Sequence, residues 1–112
     1  MRLETQSAKR IDRLFVALAD GSRRAMIDHL SAGPASVSDL ARPLKIALPS
    51  ALKHLAVLEA GGIVWSKKSG RIRTYQIAAD AFSGLEAWVA KRKTMWNRQF
   101  DALDRYLKED DA

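Results

Sequence analysis

Apolar residues along the chain fall into five helical stripes and one pair of alternating strands. From Lys9 to Ala19, residues Ile11, Leu14, Phe15 and Leu18 recur at spacings of 3, 1 and 3, which is one face of a helix. Asp20-Gly21-Ser22 interrupts it, and Asp20 or Ser22 can cap a second helix with the stripe Met26, Ile27 and Leu30. Ala32-Gly33-Pro34 closes that helix. Ser36 or Ser38 can cap a short helix from Val37 to Arg42, with Val37, Leu40 and Ala41 inward; Pro43 limits its continuation.

The next segment, LKIALPSALKHLAVLEAGG, predicts a helix from Leu48 to Ala60. Pro49 suits its first turn, where a missing N–H costs nothing. Ala51, Leu55 and Leu58 form the inward stripe with Leu52 beside it, and Gly61-Gly62 is a C-terminal stop. Ser50, Lys53, His54 and Ala56 or Val57 are left facing outward. Ile63–Lys68 and Arg71–Ala78 then read as two strands about a Ser69-Gly70 turn. Asp80 or Ser83 can open a final helix to about Leu107, roughly 25 residues or 38 Å at 1.5 Å per residue. Its apolar positions are Phe82, Leu85, Trp88, Val89, Met95, Trp96, Phe100, Leu103 and Leu107. A domain this small cannot cover so long a stripe by itself, so a partner subunit is expected on it, with the first helix joining. The acidic tail from Lys108 to Ala112 is expected to fray.

Charge sharpens this picture. Arg42 to Arg73 carries seven cations (Arg42, Lys45, Lys53, Lys67, Lys68, Arg71, Arg73) and one acid, Glu59, so 7 − 1 = +6, the formal net charge of all 112 residues. The surface is therefore sided, and sided positive charge on two helices and a hairpin points to a nucleic-acid backbone. Four of the cations cluster at the hairpin tip. With no cysteine, neither a disulfide nor a thiolate metal site can form. The N-terminal residues are too polar for a signal peptide and no run approaches the ~20 apolar residues of a membrane span. A single cytoplasmic domain spanning residues 1–112 is expected, marginal alone and helped by dimerisation.

The element order predicts a mainly α fold with a small β-hairpin wing, a winged helix-turn-helix of order α-α-α-α-β-β-α. The residues FVALADGSRRAMIDHLSAG and SVSDLARPLKIALPSALKHLAVLEAGGIVWSKKSGRIRTYQI carry a further likeness, above all S-x-x-x-H-L-x-x-L-x-x-x-G from Ser50 to Gly62 and the basic strand–turn–strand after it. On these the chain resembles the ArsR/SmtB family of bacterial transcriptional repressors over about Ile11 to Leu107. The closing segment AWVAKRKTMWNRQFDALDRYL is similar to a metal-independent, SdpR-like branch.

The resemblance implies a homodimer that binds a double-stranded, palindromic operator. Residues 37–61 would be the helix-turn-helix, with the helix from Leu48 to Ala60 in the major groove. Residues 63–78 would be the wing, on flanking backbone or minor groove. Residues 9–19 and 80–107 would be the dimerisation helices. By position, Ser50, Lys53 and His54 would contact DNA from the recognition helix, Lys68, Arg71 and Arg73 from the wing, and Arg42 and Lys45 would approach phosphate from the turn. The dimer interface would use Ile11, Leu14, Phe15, Leu85, Trp88, Val89, Trp96, Phe100 and Leu103.

The chain departs from the family in places. Metal-sensing relatives carry cysteines where PASVSDL has Ser36 and Ser38, and neutral serines are poor ligands for soft metals. Other relatives bind zinc through histidines on the last helix, where this chain has none. No metal and no cofactor are therefore expected. Leu52 stands where many members have serine, which suggests that it packs inward. His54 can alternatively hydrogen-bond within the protein, His29 suits a helix C-terminus, and Arg23 or Arg24 can reach either phosphate or an acid. Trp88, Trp96 and Phe100 suit dimer packing better than an inducer pocket. A protein-interaction module on the same scaffold is the alternative function. Neither a phosphate loop nor a nucleophile motif argues for an enzyme. The sequence names no effector.

Overall fold

A computed structural model of the chain describes residues 2–110, with the side chains of residues 8–109. Among these the order is α1 (Arg2–Leu18), α2 (Gly21–Ser31), β1 (Ala35–Ser36), α3 (Val37–Leu44), α4 (Leu48–Ala60), β2 (Val64–Ser69), β3 (Ile72–Ile77) and α5 (Ser83–Asp110). The chain divides into two compact units, one ending at Phe82 and one beginning at Ser83. Together these elements make a mainly helical winged helix-turn-helix with a small antiparallel sheet.

The first unit is built around side chains from every element it contains. Met26, Ile27 and Leu30 of α2, Leu40 and Ala41 of α3 and Ala51, Leu55 and Leu58 of α4 are all buried, with Ile63, Val64 and Tyr75 of the hairpin region. Each large side chain removed from water in this way contributes about 1.5–3 kcal/mol. Ala17 of α1 joins the cluster, and Leu14 of the same helix is also buried. Leu14 is 5% exposed, so its assignment to a subunit interface is corrected: it belongs to the interior of its own chain.

Both helices of the helix-turn-helix end in the same closure. In α4, Gly62 N–H donates to Glu59 O at 2.9 Å and Ile63 N–H to Leu58 O at 3.0 Å, with Gly62 at φ +74°. This is a Schellman motif, and its usual apolar contact is present because Leu58 and Ile63 are both buried. In α3, Lys45 N–H donates to Arg42 O at 3.1 Å and Ile46 N–H to Ala41 O at 3.4 Å. Here a lysine, at φ 54° and ψ 40°, takes the left-handed position. The closure carries α3 two residues past the expected end at Arg42, and the fixed φ of Pro43 is itself helical.

Other elements differ from expectation for identifiable reasons. Helix α1 starts at Arg2, not Lys9, because residues 2–8 are rich in helix formers but lack an apolar stripe. Strand β1 is an addition to the expected elements. It pairs Ala35 with Tyr75 and Ser36 with Thr74, giving a three-stranded antiparallel sheet of order β1-β3-β2, and two residues carry no period to read. The hairpin turn is Gly70-Arg71, closed by the Ser69–Ile72 pair, one residue beyond the expected Ser69-Gly70. Gly70 then occupies the first central position at φ +63°, where a type II′ turn requires glycine.

The second unit is α5 alone, 28 residues or about 42 Å long. It continues through Lys108–Asp110, which were expected to fray; Lys108 Nζ lies 3.1 Å from Asp104 Oδ2, an i,i+4 pair that supports the last turn. Residues 111–112 of the predicted tail lie outside the described residues. Along α5 the large apolar side chains are exposed, Trp96 at 49%, Phe100 at 63% and Leu103 at 53%.

Candidate nucleic-acid interface

The interface is assembled from the helix ends upward. The Ser36 hydroxyl caps α3 by accepting the Asp39 N–H at 3.2 Å. The α3 closure at Lys45 turns the chain into α4, whose N-terminus carries Pro49 in its first turn and has no side-chain cap at Ala47. Its first N–H groups, at the positive end of the helix dipole, are thus left for water or an anion. Arg42 and Lys45 lie on the approach to this helix end, and both are exposed. Arg42 reaches Asp39 only at 3.7 Å with both side chains well solvated, an ion pair of little strength.

On α4 the stripe of Ala51, Leu55 and Leu58 faces the core, leaving Ser50 and Lys53 exposed. Leu52, expected to pack inward, is 47% exposed and is corrected. It lies about 100° round the helix from Ala51, and Leu55 and Leu58 already fill the space behind.

His54 is half-buried, and its side chain is engaged within the protein. The Arg23 guanidinium donates to its Nδ1 at 3.2 Å, and Asp20 Oδ2 lies 3.9 Å away, beyond hydrogen-bond reach. Of the residues expected on the recognition helix, Ser50 and Lys53 are therefore open and His54 is held.

Arg23 also donates through Nε to Ala17 O at 2.9 Å and through Nη2 to Val16 O at 2.8 Å. Arg24 donates to Leu18 O at 2.7 Å. The two arginines bond carbonyls at the end of α1, one of which, Val16 O, also accepts the Ala19 N–H at 3.2 Å. Asp20 caps α2 by accepting the Arg23 N–H at 3.0 Å. That bond, with the Arg23 charge behind it, holds the Asp20 carboxyl below the usual carboxylate range against a smaller opposing effect of burial. The α1–α2 corner, and through Arg23 the middle of α4, form one hydrogen-bonded brace. Its signal in sequence was limited to the Asp20 cap, because the Arg23–His54 contact spans 31 positions.

The hairpin register sorts the wing cations. Lys68 stands directly opposite Arg73 and Lys67 opposite Thr74, while Arg71 lies in the turn. All four are exposed. Arg73 donates to Ser66 Oγ at 2.8 Å, which directs the guanidinium along the hairpin. Like charges facing each other across a strand pair oppose folding, so an external anion at the tip would relieve a repulsion that the fold retains. On the inner side, burial raises the Tyr75 hydroxyl above its ordinary pKa, and the Glu59 charge adds to the shift. No group of three or more potential metal ligands occurs among the described residues. No helix among them is long and apolar enough to cross a membrane.

A family model described as a helix-turn-helix domain matches residues 18–64. The chain is 38% identical over 87 residues to the HTH-type transcriptional regulator Rv2034 of Mycobacterium tuberculosis, covering 78% of each chain. It is similar to the crystal structure of an ArsR family transcriptional regulator, RHA00566, at 43% identity and a TM-score of 0.76, covering 80% of this chain and 93% of that one. It is also similar to the homodimeric winged helix-turn-helix DNA-binding domain of Mb0332 from Mycobacterium bovis, a possible ArsR-family transcriptional regulator. There the identity is 26% and the TM-score 0.66, with 82% and 87% of the two chains covered.

Proposed function

This chain belongs to the ArsR family of winged helix-turn-helix transcriptional regulators, and from that premise we propose that it acts as a homodimeric repressor on an inverted-repeat operator. It is a DNA-binding regulator and not an enzyme. In this reading α4 enters the major groove with Ser50 and Lys53 toward the bases. Lys68, Arg71 and Arg73 hold the flanking backbone or minor groove, and Arg42 and Lys45 take phosphate. His54 acts one step back, keeping α4 in register with the α1–α2 corner. The observation that carries the proposal is the open, weakly paired set of cations running from α3 through α4 to the hairpin tip.

Two copies would join through α1 and α5, using Ile11, Phe15, Leu85, Trp88, Val89, Trp96, Phe100 and Leu103. The exposed apolar length of α5 supports this, as does the homodimeric state of the Mb0332 domain. A two-fold dimer then requires half-sites about one helical turn, or a multiple, apart. Bound there, it would exclude polymerase. We place the protein in the metal-independent, SdpR-like branch. Ser36, at a position where metal-sensing relatives carry cysteine, already spends its oxygen on the α3 cap, and α5 has no histidine.

The test is binding to duplex DNA from the region upstream of its own gene across a salt series. Three or four neutralised phosphates per subunit give a log–log slope of roughly −5 to −7 for the dimer. Arg71→Glu with Arg73→Glu should weaken binding to all sequences alike and flatten that slope by about 3 to 4. A salt-independent affinity, or a charge-reversed wing that binds normally, would overturn the proposal.

A further inference from the structure

Two leucines on α4 stand half out of the fold. Leu48 and Leu52 are each 47% exposed, while the inward stripe of the same helix is completely covered. They lie one turn apart on a single strip, which the exposed Ala56 continues. The strip occupies the N-terminal half of the helix, the part that meets base edges when a recognition helix docks. Lys45 precedes it and Lys53 flanks it, whereas the one acid of α4, Glu59, is about two turns beyond Leu52. A cationic surround favours an anionic partner over a second copy of this chain, which would set like charges against each other.

We propose that Leu48 and Leu52 are specificity-determining residues that read thymine 5-methyl groups in the major groove. This rests on α4 being the recognition helix. The thymine methyl is the apolar group that the major groove presents. An aliphatic side chain meets it favourably, but placed over guanine or cytosine it desolvates polar edges without replacing their hydrogen bonds. The half-site is therefore A·T-containing under the first two turns of α4, and Lys53 supplies the adjacent polar or phosphate contact.

The test uses the full-length protein and a pool of duplexes with a randomised centre. The recovered consensus is resynthesised with single thymines replaced by uracil, which removes the methyl and leaves every hydrogen-bonding group in place. Loss of one buried methyl from one half-site should weaken the wild type roughly fourfold, equivalent to ~0.8 kcal/mol. Leu52→Ala should bind the thymine and uracil duplexes within about 1.5-fold of each other at the facing position, and Leu48→Ala should do so at a neighbouring one. Both side chains are exposed, so unchanged thermal unfolding verifies that the variants are folded. A wild type indifferent to uracil at every position would overturn the inference and leave DNA recognition intact, as would leucine variants that keep the full thymine preference. Failure to bind any duplex would overturn the reading of α4 itself.

Discussion

Helices α4 and α5 are both amphipathic, yet they use their two faces in opposite ways. The apolar stripe of α4 is sealed inside its own chain, with Ala51, Leu55 and Leu58 fully buried. The apolar side chains of α5 are exposed along its length, from Val89 to Leu107. In α4 the outward face is therefore free for chemistry, and in α5 the outward face is still unfinished packing. Periodicity announces that a stripe exists; its covering depends on whether the rest of the chain can reach it. Helix α5 is about 42 Å long, and a second subunit is the covering we propose.

Introducing a carboxylate into each stripe separates the two cases and has the largest expected effect. Leu55→Glu places a charge where no solvent or partner can compensate it, and the chain should fail to fold, read as lost helical circular dichroism. Trp96→Glu with Phe100→Glu should leave that helical signal in place and shift sedimentation from dimer to monomer. Operator binding should then fall by more than about 100-fold, because two half-sites no longer act as one ligand. A pair of glutamates on α5 that left the dimer intact would break the comparison.

A smaller effect is expected where α4 meets α1. A Cβ built on Gly61 would lie 3.0 Å from Ala17 Cβ and 3.1 Å from Arg13 O, tighter than most real contacts, and Arg13 O belongs to the backbone, so relief requires the helices to part by a few tenths of an ångström. Gly61→Ala should cost about 1–3 kcal/mol in urea unfolding. Gly61 has an ordinary φ of −79°, so the cost comes from crowding and not from conformation. If the loss instead matched the few tenths typical of an exposed substitution, the close approach of α1 and α4 would be disproved.

The same physics decides which of these features are legible in the sequence. The α4 boundaries, its buried stripe and its double-glycine stop were legible because local chemistry alone fixes them. Leu52 was misjudged because its place beside the stripe does not say that Leu55 and Leu58 have already filled the space. The Gly70-Arg71 turn was displaced by one residue because Ser69-Gly70 and Gly70-Arg71 both contain the glycine, and only the strand register chooses between them. Strand β1 exists through pairing with residues almost forty positions later. The engagement of His54 by Arg23 is likewise tertiary. Among the candidate DNA contacts, those whose exposure comes from a turn or helix end were readable, and the one set by a distant arginine was not.

The smallest effect concerns the two helix closures of the helix-turn-helix, which share a hydrogen-bond pattern but not a residue. Gly62 takes the left-handed position without steric cost, whereas Lys45 there is disfavoured by about 1–2 kcal/mol relative to glycine. Lys45→Gly should relieve that strain, offset in part by the greater freedom of glycine in the unfolded chain, for a net gain of about 0.5–1 kcal/mol in urea unfolding. If Lys45 holds phosphate, the same change removes one cation per subunit, and the salt slope of the dimer should flatten by roughly two. Lys45→Asn separates the contributions, since asparagine tolerates the left-handed region with less loss of chain entropy but carries no charge. A position that gains stability and loses affinity in both variants is one where the chain keeps strain for the sake of charge. A position that loses stability in both, with DNA binding unchanged, would mean that Lys45 belongs with the packing of the fold and not with the interface.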